Sequence, residues 1–323
     1  MNDWRPATGP EAARSRAAML RRVRNYFDTT NVLEVDTPAL SRTAVSDIQI
    51  ESLEITDCAV GGGPLFLHTS PEFCMKRLLA AGYPDIFSIA RVFRDGEAGR
   101  KHQPEFTMLE WYRLDMGLSQ IIQDTTSLIG QVLADAAPTE LPVRIDYYDA
   151  FLNTVGVDAR TASLDKLIRA ADADEQLQAA LGRERDDWLD LLLATRVIPS
   201  FAANRLTVLQ HYPASQAALA RLCPGDPDVA DRFEIFLGPL ELANGYVELT
   251  DAAEQAARIA SDIESRKRRG QIVRPVDQNL LAALAAGLPQ CAGVAMGLER
   301  LQMLCDKTDD IRDVISFTFE EGA

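Results

Sequence analysis

Gln278-Asn279-Leu280-Leu281-Ala282-Ala283-Leu284-Ala285-Ala286-Gly287-Leu288-Pro289-Gln290-Cys291-Ala292-Gly293-Val294-Ala295-Met296-Gly297-Leu298-Glu299-Arg300 is the stretch on which the fold turns. Its uncharged part, Gln278 to Leu298, is long enough to suggest a membrane span. Asn279, Pro289, Gln290 and the glycines at 287, 293 and 297 argue otherwise. The stretch reads as a buried helix, a turn and a buried, glycine-rich strand that ends in arginine.

Working outward, Ile86 to Phe93 and Phe106 to Leu114 alternate as two strands. The connection between them, Arg94 to Glu105, is too long for a routine hairpin loop and carries Arg94, Arg100, Lys101 and His102. Loops of that length inside compact domains are usually functional or mobile. Leu206 to Leu209 is a further strand, and Arg232 to Leu237 and Leu240 to Leu249 are strands joined at Gly238-Pro239. Thr8-Gly9-Pro10-Glu11 fits a capping box, with a helix to about Phe27. Its Arg14, Arg16, Arg21, Arg22 and Arg24 read as a solvated face. Asn31 to Pro38 is a short extended segment, and Gly61-Gly62-Gly63-Pro64 leads into a strand, Leu65 to His68. Ser70-Pro71-Glu72 opens a helix carrying Met75, Leu78 and Leu79, with the serine as cap. Residues 158 to 203 read as helices. Asp251 to Arg269 is a helix whose end, Arg266-Lys267-Arg268-Arg269-Gly270, suits a C-terminus. No repeat or linker stands out, so one domain is expected over 1–323. The order is not βαβα, and neither G-x-G-x-x-G nor G-x-x-x-x-G-K-[ST] occurs, which argues against Rossmann and P-loop sites.

Composition narrows the function classes. Apolar residues at 47% and charged residues at 25% of 323 are ordinary for a soluble globular protein. A net charge of −15 argues against wide wrapping of nucleic acid, which needs neutralising cations. Five cysteines without C-x-x-C spacing and three histidines draw no zinc site, and the thiols read as buried and reduced. The start, Met1-Asn2-Asp3-Trp4-Arg5-Pro6, has no apolar h-region, so a cytoplasmic protein without membrane association is expected.

The hairpin at Gly238 carries the first hint of chemistry. If Leu237 pairs with Leu240, Phe236 pairs near Glu241, and Glu234 and Glu241 become diagonal neighbours on one face. Two such carboxylates repel unless a cation sits between them, and Mg²⁺ is typically held by one or two carboxylates plus substrate phosphates. Asn244, Tyr246 and Glu248 share the opposite parity, so a bulge near Leu242-Ala243 is needed to unite them with Glu241. Taken alone, the hairpin is better explained by acids on a solvated strand face.

Three segments, in order, resemble the signature motifs of class II aminoacyl-tRNA synthetases. Val32-Leu33-Glu34-Val35-Asp36-Thr37-Pro38 resembles motif 1, the dimer-interface segment. Phe93-Arg94, the long loop and His102-x-x-x-Phe106 resemble motif 2, and Gly293 to Arg300 resembles motif 3. Thr69-Ser70-Pro71-Glu72, Thr107-Met108-Leu109-Glu110-Trp111-Tyr112 and Glu241-Leu242-Ala243-Asn244-Gly245-Tyr246-Val247-Glu248-Leu249 resemble the lysyl branch. Motif 1 begins near residue 31, which leaves no room for an N-terminal anticodon-binding domain. The resemblance is therefore to truncated lysyl-type members, which activate (R)-β-lysine with ATP and attach it to a lysine of elongation factor P, a protein shaped like tRNA. It implies an α+β fold, a catalytic domain of mostly antiparallel sheet flanked by helices, and a homodimer that does not act on tRNA.

The resemblance also implies roles. Arg94 would bridge the substrate carboxylate and the α-phosphate, Arg300 would hold the γ-phosphate, and Phe106 would stack on adenine. Asp95, Gly96, His102, Gln103, Leu242 and Gly297 would contact ATP with Glu241, and Glu234 and Glu241 would hold Mg²⁺. Ser70, Pro71, Glu72, Glu110, Tyr112, Asn244, Tyr246 and Glu248 would line the amino-acid pocket, with Ala295 beside it. Ala295 stands where lysyl-tRNA synthetases have glycine. One methyl can discriminate by about 1–3 kcal/mol, or it can simply fill a strand core. The chain departs from the family at Gly96, where glutamate is usual, at Gln103, where asparagine is usual, and at Asn31, where glycine is common. Two other functions are weighed: a truncated synthetase that loads α-lysine onto tRNA or a small molecule, and a non-catalytic relative. Relatives of the latter kind typically lose the phosphate arginines, and this chain keeps Arg94 and Arg300.

Overall fold

The computed structural model describes residues 4–319, so the reading made on Met1 to Asp3 lies outside the described residues. In chain order the elements begin α1 (Pro10–Thr29), β1 (Leu33–Glu34), β2 (Leu40–Ser41), β3 (Glu54–Ile55), β4 (Leu65–Leu67), α2 (Glu72–Ala80), β5 (Ile86–Phe93), β6 (Glu105–Leu114) and α3 (Leu118–Leu133). They continue with β7 (Val143–Asp146), α4 (Tyr147–Val155), α5 (Leu164–Ala170), α6 (Glu175–Leu181), α7 (Arg185–Leu192), β8 (Leu206–Gln210), β9 (Leu222–Cys223), β10 (Asp226–Ala230), β11 (Arg232–Leu237) and β12 (Leu240–Val247). The last are α8 (Ala252–Arg268), α9 (Gln278–Gly287), β13 (Cys291–Gly297) and α10 (Leu298–Asp306). The chain divides into two compact units: one joins the parts before residue 138 and after 247, and the other is 138–247.

In the first unit β1 runs parallel to β5, while β5 and β13 flank β6 antiparallel. β6 is the inner strand, and Thr107 to Arg113 are all buried. Its register places Glu110 between Ser88 and Ala295, and Tyr112 between Ile86 and Gly293. Paired residues share a face, as do residues two apart on a strand, so all six lie on one side. The other side is core. Phe27 of α1 stacks on Phe87 with centroids 4.3 Å apart and packs against Trp111. Trp111 Nε1 and the Tyr26 hydroxyl both donate to the Asp124 carboxylate, at 3.0 and 2.7 Å, so the buried polar groups there are satisfied. The uncharged stretch is the expected helix, turn and strand: Asp277 caps α9 by accepting from Asn279 N and Leu280 N, and β13 follows. Among the described residues no helix is long and apolar enough to cross a membrane.

In the second unit β11 lies antiparallel between β12 and β8, and β7 runs parallel to β8. Helices α4 and α7 contribute Tyr147, Phe151, Trp188 and Leu192 to a core that includes Phe236. The expected bulge is present: Phe236 pairs with Glu241 and Ile235 with Ala243, so Leu242 has no partner on β11.

Two local expectations are corrected and a third is extended. Thr8 is not the cap of α1; Gly9 holds that position, and Thr8 Oγ1 donates to Ile315 O at 3.1 Å. The arginines of α1 are not all a solvated face. Arg22 donates to Val132 O at 2.7 Å, and Arg16 reaches Thr107, Glu299 and Gln302. Arg266 stands in the last turn of α8, as expected, and its side chain does more than answer the helix end. It is 2% exposed, pairs with Glu51 at 2.7 Å and donates to the carbonyls of Ser46, Asp47, Ile50 and Ile272. A long guanidinium stem carries its fork beyond its own helix surface, so helical periodicity does not report where the charge ends.

Arg266→Met leaves Glu51 to Arg274 alone and strands the carbonyls that Arg266 meets, and should cost about 2 kcal/mol of unfolding free energy. Lys267→Ala, at an exposed neighbour, should stay within about 0.5 kcal/mol. Urea unfolding followed by circular dichroism measures both, and equal effects would make the Arg266 network a surface feature.

Candidate active site

On the open face of β6, the loop before α2 is tied down by one hydroxyl. Ser70 Oγ accepts from Glu72 N at 2.9 Å and donates to Glu110 Oε2 at 2.7 Å. Pro71 holds the N-cap position of α2. Glu110 Oε1 accepts from the Tyr112 hydroxyl at 2.5 Å. Lys76, one helical turn after Glu72, places Nζ 2.7 Å from Glu72 Oε1 and 2.5 Å from Glu248 Oε2. Glu248 is 1% exposed, and its Oε1 has no hydrogen-bond partner. A side chain at Gly293 would collide with Glu248 Oε1 and with the Tyr112 ring, so only glycine lets both lie over the strand. Ala295, opposite Glu110, is partly open on this face. A cavity of about 300 Å³ adjoins the group, lined by Ser70, Glu72, Phe73, His68, Arg42 and Arg77 among others.

Burial governs the charges. It pushes Glu110 up to about 7, with the Glu72 charge adding to it and the bonds from Tyr112 and Ser70 opposing it. It pushes Glu248 up to about 8 in spite of Lys76. Burial also works against the Lys76 ammonium, but Glu248 and Glu72 outweigh it and hold its pKa above the ordinary lysine value. Lys76 and Gly293 were not singled out in the sequence. The available signal was a lysine four residues after Glu72, between Met75 and Leu79 on an otherwise apolar helix face.

One of the two motif arginines, Arg300, rests on a histidine of the loop after β5. The loop after β5 closes on itself, with Gly99 N donating to His102 O at 3.0 Å and His102 N to Gly99 O at 3.2 Å. Arg300 places a guanidinium nitrogen 2.6 Å from His102 Nε2. Arg94 lies over the Phe106 ring, 5.2 Å from its centroid, and pairs with Glu97 at 3.4 Å. Asp95 N donates to Glu51 O at 2.9 Å. Gly96 has φ +80°, which explains glycine there on backbone grounds. Gln103 is buried, and its side-chain oxygen accepts from Phe319 N at 3.0 Å, so it also serves to hold the C-terminal segment. A Cβ at Gly297 would meet only Arg300 Cδ, at 4.0 Å, so the surface there is open. Glu299 supports the whole arrangement from beneath. It accepts from Thr107 N at 2.9 Å and from Arg16 at 3.0 Å, and Arg16 also donates to Thr107 Oγ1 at 2.6 Å. Phe106 and Arg300 are thereby registered through their buried neighbours.

In the second unit the bulge at Leu242 brings Glu234, Glu241, Asn244 and Tyr246 to one face, with Glu234 directly opposite Asn244. The Leu242 side chain is buried. Burial raises the Glu234 carboxyl, Arg232 at 2.7 Å opposes the rise, and Glu241 adds to it. Two carboxylates on one face, one of them raised by the other, are a donor set of the kind that a divalent cation takes. His211, Cys223 and Asp231 also gather within 4.8 Å, a grouping that spacing alone does not reveal; Arg221 already pairs with Asp231 at 2.8 Å.

A family model described as tRNA synthetases class II (D, K and N) matches residues 3–321. An elongation factor P–(R)-β-lysine ligase from Pseudoalteromonas translucida (strain TAC 125) is 43% identical over 323 residues, spanning 98% of this chain and 98% of the relative. Relatives of the same name from Sodalis glossinidius (strain morsitans) and Salmonella typhi are 43% and 42% identical, each spanning 99% of this chain and 98% of the relative.

Glu110 and Glu248 hold protons in the folded chain that the unfolded chain gives up. Their contribution to stability is full below the ordinary carboxylate range and is lost as pH rises through about 7 and about 8. Urea midpoints measured between about pH 5 and pH 8 should fall, and should fall less steeply in Glu110→Gln. An equally steep fall in Glu110→Gln would show that this carboxyl holds no such proton.

Proposed function

We propose that this chain, which belongs to the class II tRNA synthetases (D, K and N), activates (R)-β-lysine with ATP and ligates it to a lysine of elongation factor P. The observation that carries the reading is the convergence of Glu72, Glu110 and Glu248 on one pocket floor, which suits a substrate rich in amines. Relatives of that name matched over nearly their whole length supply the acceptor.

The chemistry has two steps. The substrate carboxylate attacks the α-phosphorus of ATP, pyrophosphate leaves, and an acyl-adenylate remains. The acceptor lysine amine then attacks the acyl carbon, AMP leaves, the amine gives up a proton, and an amide forms. Both steps build negative charge on oxygen, where fixed cations lower the barrier. In this reading the Arg94 fork spans the substrate carboxylate and the α-phosphate, and Arg300, braced by His102, takes the γ-phosphate. Phe106 offers its ring to adenine beside Arg94. Glu234 and Glu241 would hold Mg²⁺, and the ion would neutralise phosphate charge. Glu72, Glu110, Tyr112 and Glu248 receive the amines. Leu33 and Leu40, apolar and 47% and 45% exposed in and just beyond the motif 1 segment, support a homodimer through it.

Intact-mass analysis of elongation factor P tests the reading, after incubation with this protein, ATP and either (R)-β-lysine or α-lysine. One β-lysyl increment is expected. Transfer to tRNA instead, or no increment with either isomer, overturns it.

Arg94→Ala and Arg300→Ala should each lower amino-acid-dependent pyrophosphate exchange by about a hundred- to a thousand-fold while the fold is kept. Near-normal exchange in either variant would remove that arginine from the phosphate site.

Ala295 shares the pocket face with Glu110, so its methyl should crowd an α-amine more than a β-amine. Ala295→Gly should narrow the preference for (R)-β-lysine by several-fold to about a hundred-fold, mainly by improving use of α-lysine. Comparing kcat/KM for the two isomers measures it; an unmoved ratio makes Ala295 strand packing only.

A further inference from the structure

The loop after β5 is held at its tip by the segment that follows α10. Ile311 N donates to Arg100 O at 2.8 Å, and the Arg100 side chain pairs with Asp309 at 2.7 Å. Phe319 N donates to Gln103 Oε1 at 3.0 Å. In the chain His102 falls between these two attachments, and a guanidinium nitrogen of Arg300 lies 2.6 Å from its Nε2. The segment is itself built in. Ile311 and Val314 are buried with Met303 of α10, and Thr318 is buried as well. Ile315 O and Ser316 O accept from Thr8 Oγ1 and Ala7 N, at 3.1 and 2.8 Å. The two attachments differ in weight. Arg100 and Asp309 form an exposed pair, which contributes little. Gln103 is 3% exposed, so water does not readily replace a partner lost there. The chain thus leaves Arg300 along α10 and returns to hold the loop that sets a histidine against that same arginine.

We propose that Gln103 is a positioning residue for ATP: its bond from Phe319 N latches the loop to the C-terminal segment and keeps His102 against Arg300. The inference rests on the reading of His102 and Arg300 as parts of the ATP site. A long arginine side chain loses rotamer freedom when it takes up one geometry. With His102 latched, part of that ordering is complete before ATP arrives, which favours binding. Without the latch, ATP must order the loop itself, so its binding weakens. The amino-acid pocket on α2 and β6 takes no part in this. The donor is a backbone N–H, so at position 319 every residue except proline supplies it.

The test is pyrophosphate exchange on the full chain, with KM measured separately for ATP and for (R)-β-lysine. Phe319→Pro removes the N–H and should raise the KM for ATP about three- to tenfold, the worth of one hydrogen bond, with the KM for (R)-β-lysine unmoved. Phe319→Ala keeps the N–H, and the side chain it trims is exposed, so both KM values should stay within about twofold. Gln103→Ala should raise the KM for ATP as Phe319→Pro does, and the two changes together should raise it no further. A simple loss of folded protein lowers the apparent kcat and leaves both KM values in place, so it does not produce this split. An unmoved KM for ATP in Phe319→Pro overturns the latch. So does a Gln103→Ala effect that persists in full beside Phe319→Pro, which would make Gln103 a direct ATP contact. If Phe319→Pro does not fold, a chain ending at Thr318 removes the same N–H and decides in its place. Exchange with unmoved KM values overturns this inference and leaves the ligase reading standing. No exchange by the unsubstituted chain with either lysine isomer overturns both.

Discussion

Burying a carboxylate is costly unless a cation or well-placed donors meet it, and the first unit buries two, Glu110 and Glu248, beside the partly buried Glu72. Much of its local design answers that constraint. Lys76 gives up a place on an apolar helix face to stand between Glu72 and Glu248. Ser70 uses one hydroxyl both to start that helix and to hold Glu110. Gly293 lacks a side chain because Glu248 and Tyr112 need the space above the strand. Each of these residues looks ordinary alone, and each is set by the charges it serves.

The same economy runs through the residues proposed to meet the phosphates. Glu299 and Arg300 are consecutive and do opposite work: Glu299 is 2% exposed and anchored by Thr107 N and Arg16, while Arg300 turns to His102. Thr107 and Phe106 divide in the same way. An exposed arginine on a short element would sample many rotamers, whereas a buried, hydrogen-bonded neighbour fixes the backbone from which it projects. The positions of Phe106 and Arg300 are thus set by their buried neighbours, and Arg16 on the first helix holds both neighbours.

Legibility followed the range of the interaction. Ile86 to Phe93 and Arg232 to Leu237 form strands at the residues their alternation marks, because alternation and the neighbouring glycines and prolines act locally. The bulge at Leu242 was legible for a related reason: Glu241 and Asn244 have conflicting parity, and one extra residue is the simplest way to put both on one face. Thr8 and Arg16 were misread because their partners, Ile315 and Glu299, lie hundreds of residues away in the chain, and the Glu51 partner of Arg266 was out of reach for the same reason. Gly96 looked like a lost contact and is a backbone requirement, visible only as a positive φ.

By itself the sequence determined the class of chemistry. Motif arginines, acidic segments and the strand from Gly293 to Gly297 carry their meaning in residue type and short spacing, and those survive without coordinates. Only the tertiary structure decided the charge state of the proposed amino-acid pocket. Which carboxylates keep their charge depends on burial and on which cation arrives beside them, and both are set when α2, β6, β13 and Glu248 come together. Lys76 is a helical lysine on paper; desolvated between two carboxylates, it becomes the charge against which the rest of the pocket is balanced.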